Sequence, residues 1–308
     1  MKQTISLDFC NFWPGFVKTS NFFFNLLSER FDVRICDQPD FLIYSDGATH
    51  LHRLQNCVRI YFSTESFLPD FRQCDYAFTS RYVDDPRHFR LPYYVLTAAA
   101  ALLIKRDGDP PALCASRPKF CAFVVSNVHS KKTKKRIDFF HRLSKYKKVD
   151  SAGTALNNVG SVLPRGPLSK LTFLKEYKFN IAFENAAIPG YTTEKLIEPM
   201  LVRCLPIYWG NPRVAEEFNP KSFLNYPDFP NEDALIEKII ELDRDDAKYM
   251  EYQRQPYFHN NTPNPCFDRN RLLDHFERIF TTKIRPVSAR RGWIQIGRWI
   301  PAKKNRPH

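Results

Sequence analysis

Residues 178–212 read KFNIAFENAAIPGYTTEKLIEPMLVRCLPIYWGNP. The run 179–183 is apolar but for Asn180, as in a strand covered on both faces of a parallel sheet. Glu184 and Asn185 stand at its carboxyl end, and Pro189-Gly190 makes a turn. Thr192 or Thr193 can cap a helix over 193–203, with Glu194 and Lys195 in its first turn. The run 204–209 (CLPIYW) reads as the next strand, closed by Gly210. Strand, polar turn, helix, strand and glycine turn is the layout of a nucleotide-binding half. A helix N-terminus presents free N–H groups and a positive dipole to phosphate. Lys195 adds a compact cation there, and Glu194 can accept from sugar hydroxyls. The competing reading is a capped helix with a surface Glu–Lys pair.

The same rhythm extends outward. Residues 119–125 (KFCAFVV) predict a strand, 136–146 a helix, and 232–243 and 269–280 late helices. Towards the N-terminus, ISLDF (5–9) predicts a strand, followed by a helix over 20–30 with Ser20 as candidate cap. Strands follow over 31–36, 41–44, 57–62 and 76–79. Between the two series, 105–118 (KRDGDPPALCASRP) is polar and proline-rich, and reads as a linker. The expected fold is α/β: two Rossmann-like units, 1–110 and 111–282, facing a central cleft, plus a basic tail at 283–308. Ligands of such sheets bind outside the carboxyl ends of the strands.

The chain has 308 residues, of which 43% are apolar and 15% aromatic, with 27 Phe. That composition excludes a disordered chain. The longest apolar stretch, 93–104, is too short to span a bilayer. The opening residues show no apolar h-region, so no signal peptide and a cytoplasmic location are expected. Eight cysteines without C-x-x-C pairing read as buried free thiols rather than zinc ligands. The formal net charge of +13 points to an anionic partner: nucleic acid, a membrane surface or a phosphorylated small molecule. Residues 283–308 hold eight Lys/Arg and no Asp/Glu, which leaves +5 for the remainder. On a helical projection of 287–300, Ala289, Trp293, Ile296, Trp299 and Ile300 share one side and Arg290, Arg291 and Arg298 the other. That pattern suits an anionic membrane surface, with the chain peripheral on the inner face, and argues against nucleic acid as the main partner.

The stretch FNIAFENAAIPGYTTEK, followed by a strand ending in W-G-x-P, resembles the donor motif of the α-1,3-fucosyltransferases, glycosyltransferase family 10. NFWPG with NFFFNLLSERFDVRICDQPDFLIYS, RIYFSTESFLPDFRQCDYAF, FCAFVVSN with RIDFFHRLSKY, and FNPKSFLNYPDF resemble the bacterial members in order over about residues 1–280. The resemblance implies a GT-B fold with GDP-fucose held by the C-terminal unit. It also implies an inverting displacement by the 3-OH of GlcNAc in a LacNAc- or Lewis-type glycan of lipopolysaccharide. The family's base falls on Glu65. Its diphosphate-binding Arg falls on Arg136, judged by Arg136-x-x-Phe139, with Lys134 and Lys135 adjacent. Lys195 would also hold phosphate. Asn185, Tyr191 and Glu194 would contact ribose, fucose or base edge, and Ser126 and Asn127 would line the donor site. The triplets 107–109 and 243–245 (D-x-D) read as solvated. Two cations at the leaving group can replace a metal, so no obligatory metal is expected, with Mn or Mg at most stimulatory. Another nucleotide sugar or acceptor, an α-1,4 linkage, and a non-enzymatic basic binder of membrane or nucleic acid are the alternatives.

Overall fold

Two series of apolar strands, each followed by a polar turn, build two separate parallel sheets. The computed structural model describes residues 1–47, 49–106, 117–126, 134–164 and 166–290. The first sheet contains β1 (Thr4–Cys10), β2 (Asp32–Ile35), β3 (Phe41–Tyr44), β4 (Val58–Phe62), β5 (Tyr76–Thr79) and β6 (His88–Arg90). Its order is β2-β1-β3-β4-β5-β6, and every pairing is parallel. The crossover from β1 to β2 is α1 (Phe22–Arg30), which buries Phe23, Leu26 and Leu27. Asn21 caps α1, not the expected Ser20. Its Oδ1 accepts from Phe24 N–H at 3.0 Å while its Nδ2 donates to the Val17 and Lys18 carbonyls. An amide can do both at once and a serine hydroxyl has only one donor.

The second sheet has the order β11-β10-β9-β7-β8, again all parallel. Its strands are β7 (Lys119–Phe123), β8 (Val149–Ser151), β9 (Tyr177–Phe183), β10 (Leu205–Trp209) and β11 (Leu224–Asn225). All seven residues of β9 are buried, Lys178 and Asn180 included, as in a central strand covered on both faces. After α2 (Tyr94–Thr97) in the first unit come α3 (Lys134–Leu143), α4 (Pro167–Leu174), α5 (Glu194–Leu201), α6 (Glu232–Arg244) and α7 (Asp246–Arg254).

The last described helices leave the second unit, so the expected division at 282 is not where the packing divides. α8 (Arg269–Thr281) places Leu272, Leu273, Phe276, Ile279 and Phe280 in the core of the first sheet. Phe276 stacks on Phe78 at 4.6 Å between ring centroids, and Arg30 of α1 pairs with Asp274 and Glu277. The cause is topological. Among the described residues, β3 to β6 follow one another with no α-helix between them, so α1 alone covers only part of that face. A helix returning from the far end of the chain completes it. The beginning of the basic tail is docked too. In α9 (Val287–Arg290), Val287 N–H donates to Asp75 Oδ1 at 2.8 Å and the Ser288 hydroxyl to the Cys57 carbonyl at 3.1 Å. The rest of the expected amphipathic face lies outside the described residues.

Two further expectations change. Asp243 is not solvated: its side chain is 5% exposed, and its Oδ2 accepts from Tyr146 Oη at 2.9 Å and pairs with Lys147 at 3.1 Å. The triplet at 107–109 lies outside the described residues. The apolar run 93–104 becomes α2 and a single 3-10 turn, with Tyr94 and Leu103 in a core shared with Phe218 and Phe258. The described cysteines are all free; Cys57, Cys74, Cys121 and Cys204 are buried, whereas Cys10 and Cys36 are only partly so.

Three histidines are held neutral by burial. Burial, with nearby arginines, pushes His52, His88 and His275 down from 6.5 to about 4. Between those values the unfolded chain binds more protons than the folded one, so stability is lost as pH falls from about 6.5 towards 4. Denaturant unfolding at pH 7 and pH 5 should show a loss on the order of 1–3 kcal/mol, discounted for the part of each ring that solvent screens. Replacing His275, which packs on Phe78 and Phe89, by an isosteric apolar residue should flatten that slope.

Candidate active site

The donor half is built where β9 ends. Glu184, 0% exposed, accepts from Thr193 N–H at 2.7 Å and from the Thr193 hydroxyl at 2.8 Å. That anchors the start of α5, where Thr193 Oγ1 caps Lys195 N–H at 3.4 Å. Lys195 Nζ then lies 3.4 Å from Glu184 and 3.2 Å from Glu194. Burial opposes the charge on all three groups, and the outcome differs by neighbourhood. Burial prevails at Glu184 and raises it despite Lys195. At Glu194, Lys195 and then Lys170 outweigh burial and hold the carboxyl near about 2. At Lys195 the two glutamates outweigh burial and push the ammonium up. Glu194 and Lys195 therefore stay ionised across the neutral range.

The cation opposite them comes from α3. Consecutive helix residues project about 100° apart, so Lys134, Lys135 and Arg136 separate by direction. Lys134 pairs with Asp138. Lys135 sits over the Tyr226 ring at 3.9 Å and the Trp209 ring at 5.5 Å. Only Arg136 turns inward, 2% exposed, with Nη1 donating to Asn185 Oδ1 at 2.9 Å. Burial lowers its pKa from 12.5.

Arg136, Asn185, Glu194 and Lys195 line one cavity of about 440 Å³ together with Ser126 and Lys170. In its lining Gly153, after β8, lies against Val125, just past the end of β7. A Cβ there would stand 1.9 Å from the Val125 carbonyl oxygen. Ser126 is exposed, and its carbonyl accepts from the Thr154 hydroxyl at 3.3 Å. Asn127 lies outside the described residues.

The two units meet at the turn before α5. Gly190 has φ +89 and a Cβ on it would lie 2.2 Å from the Ser80 carbonyl oxygen, so only glycine fits. Arg90, at the end of β6, donates from Nη2 to the Gly190 carbonyl at 3.2 Å and to Glu217 Oε1 at 2.6 Å. Glu217 is 5% exposed and also accepts from Tyr94, Tyr82 and Asn211. With that turn fixed, Tyr191 reaches across. Its hydroxyl donates to Glu65 Oε2 at 2.9 Å and accepts from Asn185 Nδ2 at 3.4 Å. The chain Arg136–Asn185–Tyr191–Glu65 thus links the donor cavity to an exposed carboxylate on the loop after β4. Of the residues expected from the sequence, Ser126, Arg136, Asn185, Glu194 and Lys195 share the cavity. Tyr191 and Glu65 stand beside it, joined to Asn185 by hydrogen bonds.

Four contributors escaped the sequence reading as site residues. Glu184 was legible only as a strand-end carboxylate; its burial is tertiary. Lys170 stands on α4, a helix the periodicity did not predict, and pairs with Glu198 at 2.5 Å. Gly153 and Glu217 carry no local signal.

Two parallel-sheet units, with an anion-receptive cavity under the carboxyl ends of one facing a carboxylate from the other, have the architecture of the GT-B fold. A solved α1,3-fucosyltransferase superposes with a TM-score of 0.75 and 25% identity, covering 93% of this chain and 92% of that chain. A solved α1,3-fucosyltransferase with GDP-fucose gives a TM-score of 0.74, covering 93% of each chain. The family model for glycosyltransferase family 10 (fucosyltransferase), C-terminal, matches residues 114–261. The model for the α-(1,3)-fucosyltransferase FucT N-terminal domain matches residues 7–97. The α-(1,3)-fucosyltransferase FucT of Helicobacter pylori is 30% identical over 278 residues, 78% of this chain and 55% of that protein. A putative fucosyltransferase of Acanthamoeba polyphaga mimivirus is 36% identical over 167 residues, 52% of this chain and 26% of that protein. The chain spans about half of the first relative's length and about a quarter of the second's. It belongs to glycosyltransferase family 10.

Gly210 tests the donor half. A Cβ there would meet Glu184 Cγ at 2.4 Å and Tyr208 Oη at 2.6 Å. Gly210→Ala should therefore displace the carboxylate that anchors Thr193 and Lys195. Titration calorimetry should show GDP affinity lower by about tenfold or more, as expected for losing a buried charged hydrogen bond.

Proposed function

We propose that the chain transfers L-fucose from GDP-fucose to the 3-OH of GlcNAc in a LacNAc- or Lewis-type glycan, with inversion at the anomeric carbon. The observation that carries this is the Tyr191–Glu65 hydrogen bond, which sets an exposed carboxylate at the edge of a cavity lined by Arg136 and Lys195. Glu65 takes the proton of the acceptor hydroxyl as its oxygen attacks C1 of fucose. The C1–O bond to the diphosphate breaks on the opposite face. Arg136 and Lys195 stabilise the negative charge arriving on the departing GDP, so the reaction needs no metal. Asn185, Tyr191 and Glu194 orient the ribose and fucose hydroxyls. The acceptor is the glycan of a lipopolysaccharide O-antigen. The basic residues of 283–308 hold the enzyme on the anionic cytoplasmic membrane face. Among the described residues no helix is long and apolar enough to cross a membrane.

A glycan-acceptor screen with GDP-fucose, with and without EDTA, followed by linkage analysis of the product, tests the reading. GDP release dependent on a LacNAc-type acceptor and an α-1,3 product are expected. An α-1,4 product, or preference for another nucleotide sugar, overturns the assignment at that level. Glu65→Gln should lower kcat by about 10² or more while GDP affinity, measured by calorimetry, stays within about twofold. Full activity in that variant removes Glu65 as the base.

A further inference from the structure

A second carboxylate stands behind the first. Asp46 follows β3 and Ser63 follows β4, and these strands pair in parallel with Tyr44 opposite Tyr61. Two residues further along both strands, the same register brings Asp46 to Ser63. The Asp46 carboxylate accepts from Tyr61 Oη at 2.5 Å through Oδ1 and from Ser63 Oγ at 2.5 Å through Oδ2. Ser63 Oγ in turn accepts from the backbone N–H of Glu65 at 3.1 Å. Ser63, the middle of this connection, is 1% exposed, whereas Asp46 and Glu65 at its two ends are exposed. The hydroxyl donates to one carboxylate and accepts from the peptide that carries the other. Neither Asp46 nor Ser63 belongs to the motifs that mark the donor site.

We propose that Asp46 is a positioning residue for Glu65: through Ser63 it fixes the loop that bears the base. The proposal rests on the reading of Glu65 as the base. The other groups around Glu65 are compatible with this role. Tyr61 is neutral and already donates to Asp46. Tyr191 faces Glu65 from the second unit and donates to it. Arg81 lies beside the loop, with Nη1 engaged by the Ser66 carbonyl at 2.8 Å. Asp46 is itself raised, by burial first and by Glu65 in addition, against the two hydroxyls that lower it.

The experiment compares wild type, Asp46→Asn, Ser63→Ala and Ser63→Thr, with kcat, KM for GDP-fucose and GDP affinity measured in each. The amide introduced by Asp46→Asn keeps the shape of the side chain but has one oxygen, so it cannot accept from Tyr61 and Ser63 together. Asp46→Asn and Ser63→Ala should each lower kcat about three- to tenfold while KM and GDP affinity stay unchanged. Ser63→Thr keeps the hydroxyl and should retain most of the wild-type kcat. Unaltered kcat in Ser63→Ala overturns the proposal. So does a parallel loss of GDP binding, which would make Asp46 merely structural, or a failure of Ser63→Thr to rescue. Absence of any fucosyl transfer by the wild type defeats the functional reading; the backbone amide signal of Glu65, followed by NMR, still decides whether Asp46 holds the loop, and an unmoved signal in Asp46→Asn overturns the positioning role.

Discussion

The cleft depends on one buried ion pair. Arg90 leaves the edge strand of the first sheet and meets Glu217 of the second unit at 2.6 Å, with both side chains largely withdrawn from water. Tyr82, Tyr94 and Asn211 satisfy the remaining lone pairs of the carboxylate. Such a pair adds little net stability, because desolvation offsets the attraction. Its value here is positional. The same guanidinium holds the Gly190 carbonyl, and Gly190 lies against Ser80. The turn that opens α5 is therefore clamped between the two units, and Tyr191 has one place to go. Removing either charge would leave its partner buried alone and release the turn that joins donor cavity to base.

Within the cleft the charges are arranged for an anion that comes and goes. Glu184 and Glu194 stand against Lys195, while Arg136 is held by a neutral amide. With GDP absent, neither cation is left without a polar partner. A diphosphate entering the cavity would compete with the glutamates for Lys195. The hydrogen-bond chain from Arg136 to Glu65 joins the cations of the cavity and the carboxylate at its edge in one connected geometry. The proposed displacement would need that arrangement, with nucleophile and leaving group on opposite faces.

Much of this was legible in the chain. The largely apolar runs at 119–125 and 179–183 announced central parallel strands, because a strand covered on both faces need not alternate. Asn185, Tyr191, Glu194 and Lys195 could be named because they lie in one short segment beside a helix start. Arg136 could be named only with Lys134 and Lys135 beside it. The helix decided among the three by direction, sending one lysine to an aspartate, one to two aromatic rings and the arginine inward. Short elements such as β6, β8 and β11 were missed, since two or three residues carry no period. The cap at Asn21 and the burial of Asp243 depended on partners that a local window does not show.

By itself the sequence determined two parallel α/β units, a phosphate-receptive helix start after β9 and a basic tail. Each of these follows from residue types within one stretch of chain. Only the tertiary structure decided that α8 belongs to the first core, that Glu184 is a buried anchor, and that Asp46 stands behind Glu65. It also decided that Arg90 and Glu217, 127 residues apart, fix the cleft. These depend on which distant groups share a desolvated space, and burial strengthens or penalises a charge according to its neighbours in three dimensions.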